Sequence, residues 1–378
     1  MFHMTKVELI TMAPTSGDSE YVGNSSTTKN VQTWSGVGVD SDRQPSVEYI
    51  TEVAKAAEKA GFSTLLLPIG GSCVDSLVAA SHLTAHTEKL NFLFAVRPGS
   101  TSPTQLAKQF SSVNYWTNDR VFVNVVTGGA PKELENDGDF LSHTDRYKRT
   151  REYIEILKRL FAGETFDYDG EFYKLKGANL PIPLKKVPPI FFGGSSAIAK
   201  EVATDVADVY MLWGETLETT QEELESVVKL AKEKNRNLSY SVSFQVVLGD
   251  TEEEAFANAN KIISQVDPEV LAAKHENTLK NGAVGVGRLH QLMIDSKDNN
   301  FVIAPNIWAG LTQVLSGNSI ALVGTPQQVA ERVVEFVDLG FDKVLLRGFP
   351  HLEVIEEIGE KVIPLVHRIL AEREKQVV

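Results

Sequence analysis

Gly193-Gly194-Ser195-Ser196 is the stretch of this chain with the clearest chemical capacity. It follows Pro188-Pro189 and the bulky apolar residues Ile190-Phe191-Phe192, which suit a strand buried on both faces. It precedes Ala197–Ala203, whose pattern is helical. The glycines permit a tight turn and a close backbone approach to a ligand, and the serines stand where the helix begins. Free N–H groups, the positive end of a helix dipole and two hydroxyls would together form a cup for an anion. The same residues also make an ordinary strand-to-helix turn with a serine N-cap, so both readings stand at this point.

Other reactive side chains stand near the ends of apolar runs. Cys73, in Gly71-Ser72-Cys73-Val74-Asp75, is either a small buried hydrophobe or a group at a site. Arg97 follows Leu90–Val96, Trp213 ends Ala207–Trp213, and Arg347 follows Lys343–Leu346; each is a surface or core residue or lies at a shared mouth. His143 and Tyr147 are four apart at the start of a helical stretch and so share one face. Lys297, in the polar run Ser296–Asn300, is a solvated charge or a lid residue that reaches an anionic substrate.

The elements that must position these groups repeat one phrase. A helix closes on Gly61 or Gly340, an aromatic residue follows, and a buried strand begins. Strands are expected near residues 7, 63, 91, 121, 189, 208, 241 and 343, with helical stretches between them, which is the plan of an α/β TIM (β/α)8 barrel. The rival, a doubly wound open sheet, usually carries a glycine-rich dinucleotide fingerprint near its first strand, and none is present here. The chain reads as a single barrel domain over 1–378, with insertions at about 13–45, 163–180 and 266–320. The first is a Ser/Gly/Asn-rich loop expected near the site, the second a hairpin around Asp169-Gly170, and the third a region of mixed helix and loop whose polar centre, 296–300, is expected to be a lid.

Composition narrows the function. A formal net charge of −13 argues against a nucleic-acid surface or a polybasic membrane patch. No apolar run approaches the roughly 18 residues of a membrane span, the N-terminus lacks signal-peptide features, and the single cysteine excludes an internal disulfide. A cytoplasmic location is the expectation.

Several phrases at expected mouth positions resemble one family, the bacterial luciferase-like flavin monooxygenases, and within it the FMNH2-dependent alkanesulfonate monooxygenases. They include Thr15-Ser16-Gly17-Asp18, Gly71–Asp75, Arg97–Pro103, Asn124–Gly129, His143–Tyr147, Phe192–Ser196, Trp213-Gly214-Glu215, Ala304–Gly310 and Gly348–Glu353. The resemblance implies a TIM barrel with insertions that uses FMN as FMNH2, with O2, supplied by a separate NAD(P)H:FMN reductase. It turns the anion cup into an FMN phosphate site formed by Gly194, Ser195, Ser196, Tyr147 and His143, and it places Ala95, Asn124 and Val126 beside the isoalloxazine. It puts Cys73, Trp213, Gln245 and Phe349 at the reacting end. Position in the chain, rather than the resemblance, makes Arg97, Lys297 and Arg347 candidate anion-binding groups for the substrate. A barrel mouth that excludes water would protect the oxygenated flavin. No metal ligands are implied, and a homodimer or homotetramer is expected.

Departures from the family pattern bear on the substrate. Ser243 and Gln245 stand where the sulfonate enzymes carry Arg and His, and Phe349 where they carry Tyr. Gln245 can donate and accept but cannot act as a general base near neutral pH. A sulfonate, a neutral sulfone or another small organosulfur or carbonyl compound all remain open, as do a flavin-binding barrel without oxygenase activity and an F420-dependent oxidoreductase.

Overall fold

A computed structural model describes residues 6–23, 43–280 and 283–377. Part of the first expected insertion, 24–42, lies outside the described residues. The strands are β1 (Glu8–Met12), β2 (Thr64–Leu67), β3 (Asn91–Val96), β4 (Val121–Val125), β5 (Phe166–Asp169), β6 (Lys174–Ala178), β7 (Ile190–Gly193), β8 (Val209–Trp213), β9 (Ser239–Leu248), β10 (Val302–Ala304), β11 (Ile307–Trp308), β12 (Ala321–Gly324) and β13 (Lys343–Arg347).

Eight of them form a closed parallel ring, β1-β2-β3-β4-β7-β8-β9-β13, sealed by the pairing of β13 with β1. This is the expected TIM barrel, and its closure excludes the open sheet. Alternation along each strand divides the two faces. On β4, Val121, Val123 and Val125 pack outward under the helices, while Phe122 and Asn124 take the other face. Ile10, Leu66, Leu93, Phe191, Val209 and Leu345 pack together within the ring.

The helices return the chain to the start of the next strand, so their N-termini gather at the mouth where the strands end. Ser46, Asp75, Ser102, Ser142, Ser196, Thr216 and Thr251 each cap one, the side chain accepting a backbone N–H from the first turn. Helix Val47–Ala60 ends at Gly61 in the left-handed region (φ 94°), as the repeated phrase required.

The hairpin expected within 163–180 is β5–β6, with Tyr168 opposite Leu175 and Asp169 opposite Lys174. Within 266–320 lie the helices Pro268–Lys280 and Val284–Asp295, and the region also supplies β10 and β11. These pair antiparallel and reach β12, which runs parallel to the far half of β9 (Ala321–Gly324 beside Gln245–Leu248). Strands of two and three residues are too short to carry a readable alternation. They cover a second apolar core built around Trp308, Val22, Leu311, Val323 and Phe349. Among the described residues, no helix is long and apolar enough to cross a membrane.

Candidate active site

The barrel mouth holds a cavity of about 620 Å³. The loops after β4 and β7 build one side of it. Gly194 (φ 149°) brings the backbone close to its neighbours, and a Cβ there would lie 2.8 Å from Ala199 Cβ and 3.1 Å from Tyr147 Oη. Its carbonyl accepts the Tyr210 hydroxyl. Ser196 caps helix Ala197–Val206, its Oγ accepting the Ala199 N–H at 3.3 Å. A second helix start, His143–Phe161, meets the first, capped by Ser142 Oγ on the Asp145 N–H at 3.1 Å. Ser142, His143, Arg146, Tyr147, Ser195 and Ser196 all line the cavity.

The chemistry of this side favours an anion. Arg146 donates from Nη1 to the Leu141 carbonyl at 2.6 Å, and its Nε is buried without a partner. Burial lowers the His143 pKa, and the nearby Arg146 guanidinium lowers it further, so His143 is a neutral imidazole at pH 7. Burial raises the Tyr147 pKa, which keeps its hydroxyl protonated and able to donate. The Tyr147 ring is set between His143 (centroids 4.9 Å) and the edge of Phe192 (6.3 Å). Two helix N-termini, hydroxyls and an under-used guanidinium together fit a phosphate monoester.

Helix Val284–Asp295 covers this cup. Ala283–Val286 line the cavity, and a Cβ on Gly285 would lie 3.0 Å from Ser195 Oγ and 3.1 Å from Trp213 Cζ3. Arg288 ties the helix down, with Nε on Glu215 Oε1 (2.5 Å) and Nη1 on Glu223 Oε1 (2.8 Å). The cover is therefore this helix start. The polar run 296–300 is instead a single 3-10 turn, Lys297–Asn299, in which Lys297 is exposed and does not line the cavity.

The opposite side is built by the loops after β1, β2 and β13. Asp18, fully buried, accepts from His351 Nδ1 (3.0 Å), the His351 backbone N–H (2.7 Å), the Ser19 N–H (2.9 Å) and the Tyr49 hydroxyl (2.5 Å). Burial alone would raise its pKa, but the facing imidazole and these hydrogen bonds outweigh burial and hold it below the ordinary aspartate value. His351 lines the cavity, and its Nε2 is buried without a partner. The imidazole is thus oriented through Nδ1, and its Nε2 has no partner among the described residues.

Sequence-expected residues divide here. Cys73 lines the cavity, and burial raises its pKa, so it is a thiol. Ala95, Asn124, Val126 and Trp213 line it too. Arg97 also reaches the wall, but its guanidinium clamps Glu133 (2.9 Å) and Asp137 (2.8 Å) and is neutralised there. Arg347, 2% exposed, has no such partner among the described residues: Nη1 lies 3.4 Å from Met12 Sδ, and Nε is buried unbonded. Gln245 and Phe349 are not among the lining residues. Gln245 turns its amide to the Asn318 carbonyl (2.7 Å), and Phe349 packs into the second core. Asp18, Arg146 and His351 were not singled out from sequence. The signals were a Gly-Asp pair after the first strand and a Pro-His pair after the last, which acquire meaning only when the barrel closes.

A profile of the luciferase-like monooxygenase family matches residues 27–343. The chain belongs to that family. Its fold is shared by a riboflavin lyase solved with modified FMN and riboflavin (TM-score 0.75, 18% identity, 98% of this chain and 92% of that one). It is shared also by the EDTA monooxygenase of Chelativorans sp. BNC1 (0.75, 19%, 97% and 94%). A long-chain alkane monooxygenase is similar to the same degree (0.74, 21%, 96% and 91%).

Proposed function

We propose that this protein is the oxygenase component of a two-component cytoplasmic system that uses FMNH2 and O2 on a small organosulfur substrate of the alkanesulfonate type. An NAD(P)H:FMN reductase would supply the reduced flavin, and the oxygenase would be a homodimer or homotetramer. The observation that carries this reading is the convergence of two capped helix starts on Arg146, Tyr147 and Ser195, in a family of flavin-using barrels.

Reduced flavin supplies the oxygen-activating chemistry when bound. Gly194, Ser195, Ser196, Tyr147 and Arg146 would hold its phosphate, with His143 beside them. Ala95, Asn124 and Val126 line the wall between the cup and the opposite side, where the ring system would lie. Trp213, Val284 and Val286 keep that wall apolar and restrict water. On the far side His351, oriented by Asp18, would give or take a proton at Nε2. Cys73 would pack against substrate as a neutral thiol.

The test is an anaerobic titration of FMN, FMNH2 and coenzyme F420 against wild type and Ser195→Ala. FMNH2 is expected to bind best, with about tenfold weakening in the variant. Turnover of sulfonates and sulfones with a reductase then separates an oxygenase from a flavin-binding barrel without activity. Absence of FMN binding in both redox states would overturn the reading, and preference for F420 would move the protein to the deazaflavin oxidoreductases.

A further inference from the structure

We infer that Arg347 is the receptor for an oxyanionic head group, a carboxylate, sulfinate or sulfonate, on the small molecule that shares this cavity with the flavin. The inference rests on the reading of the cavity as a flavin and substrate site.

Two buried arginines at the mouth lack a carboxylate within ion-pair distance among the described residues, Arg146 and Arg347, whereas the buried Arg97 and the half-buried Arg149 are each paired with acids. Arg146 belongs to the cup after β4 and β7. Arg347 ends β13, and in the ring order β13 is four strands from β4 and β1 is four strands from β7, so the two guanidiniums stand on opposite sides of the mouth. A single phosphate monoester at the cup accounts for the first and leaves the second unused.

A guanidinium that is 2% exposed, with Nε unbonded, Nη1 against a thioether and only the Phe349 ring near Cζ (5.8 Å), is costly to the folded protein. Such a group is retained where a ligand completes it. Its planar fork matches two oxygens of one head group, which a lysine would not. The surroundings select size: Met12, Leu66 and Leu345 line the same region of the cavity, and Ser243 stands on the neighbouring strand, level with Leu345. A short apolar stem ending in an oxyanion fits this wall.

Anaerobic calorimetry on the FMNH2-loaded protein tests this with methanesulfonate, acetate and dimethyl sulfone, the last a sulfone comparable in size with methanesulfonate but without the charge. Wild type is expected to bind methanesulfonate at least about tenfold more tightly than dimethyl sulfone. Arg347→Met should abolish that preference, Arg347→Lys should keep part of it, and both should bind FMNH2 within about threefold of wild type. Equal binding of the two probes by wild type would overturn the inference without need of any variant. Parallel losses of FMNH2 and methanesulfonate in Arg347→Met would also overturn it, by assigning the guanidinium to the flavin. Repeating the titrations on flavin-free protein, followed by tryptophan fluorescence, separates the two readings. A protein that binds no flavin but still prefers methanesulfonate in an Arg347-dependent way keeps this inference and loses the flavin assignment.

Discussion

His351 Nδ1 lies 3.0 Å from Asp18 Oδ1, joining the loop after the first barrel strand to the helix after the last. The two residues are 333 positions apart, and the β13–β1 pairing that closes the ring brings them together. Neither is exposed, so the carboxylate works as a fixed acceptor for Nδ1 and leaves Nε2 buried and unbonded.

Asp18→Asn keeps the shape of this acceptor and removes its charge. A loss of about 1.5–3 kcal/mol is expected at neutral pH. The folded-state pKa of Asp18 is depressed, so its stabilising contribution is present above the unfolded aspartate value and is lost as pH falls through the folded value. Melting curves of wild type and variant should therefore converge on acidification below about pH 4. Curves that stay parallel would mean that the charge is not what stabilises the loop. If His351 handles a proton, kcat should also fall by roughly 10²-fold.

Gly194→Ala tests the cup by steric means. The added methyl would press on Ala199 Cβ at 2.8 Å in a backbone conformation that L-residues rarely adopt. A cost of about 1–3 kcal/mol in denaturant unfolding is expected, together with weaker FMN binding. Unchanged FMN affinity would remove Gly194 from the cofactor site.

Arg288→Met releases the helix that covers the cup, because it removes the ties to Glu215 and Glu223. Stopped-flow displacement should show flavin leaving roughly tenfold faster, with a smaller change in the association rate. Glu215, whose pKa burial already raises, would then be left buried without its counter-charge. Equal off-rates in variant and wild type would show that this helix does not gate the site.

Cys73 should resist alkylation. Burial raises its pKa, and the nucleophile is the thiolate, so iodoacetamide at pH 7.5 should modify it many-fold more slowly than a free cysteine, and more slowly again with FMN bound. Mass spectrometry reads the extent. Rapid modification unaffected by FMN would place Cys73 outside the ligand's reach.

Much of this protein is written locally. Eight apolar runs, the helix stops before Phe62 and Phe341, the Asp169-Gly170 hairpin and the strand–glycine–serine cup all depend on residues within one or two turns of each other, and the observed elements follow them. Capping and periodicity are short-range effects, so one chain suffices to read them.

The roles of individual charges were not legible in this way. Arg97 and Arg347 look alike in sequence, each at the end of an apolar strand. Arg97 is neutralised because Glu133 and Asp137, 36 and 40 residues further on, fold back over it, while no described acid pairs with Arg347, on which Asp18 acts only from beyond ion-pair distance. Phe349 was expected at the reacting end and lies in the second core, because β10–β12 build a layer that the sequence barely marks. Lys297 was expected to reach in from a lid, but the chain turns it to solvent, and the start of the helix at Val284 covers the cup instead. Which buried cation is paired and which is left for a ligand is a property of the closed barrel, since it depends on contacts between strands and loops far apart in the chain, and only the tertiary structure could decide it.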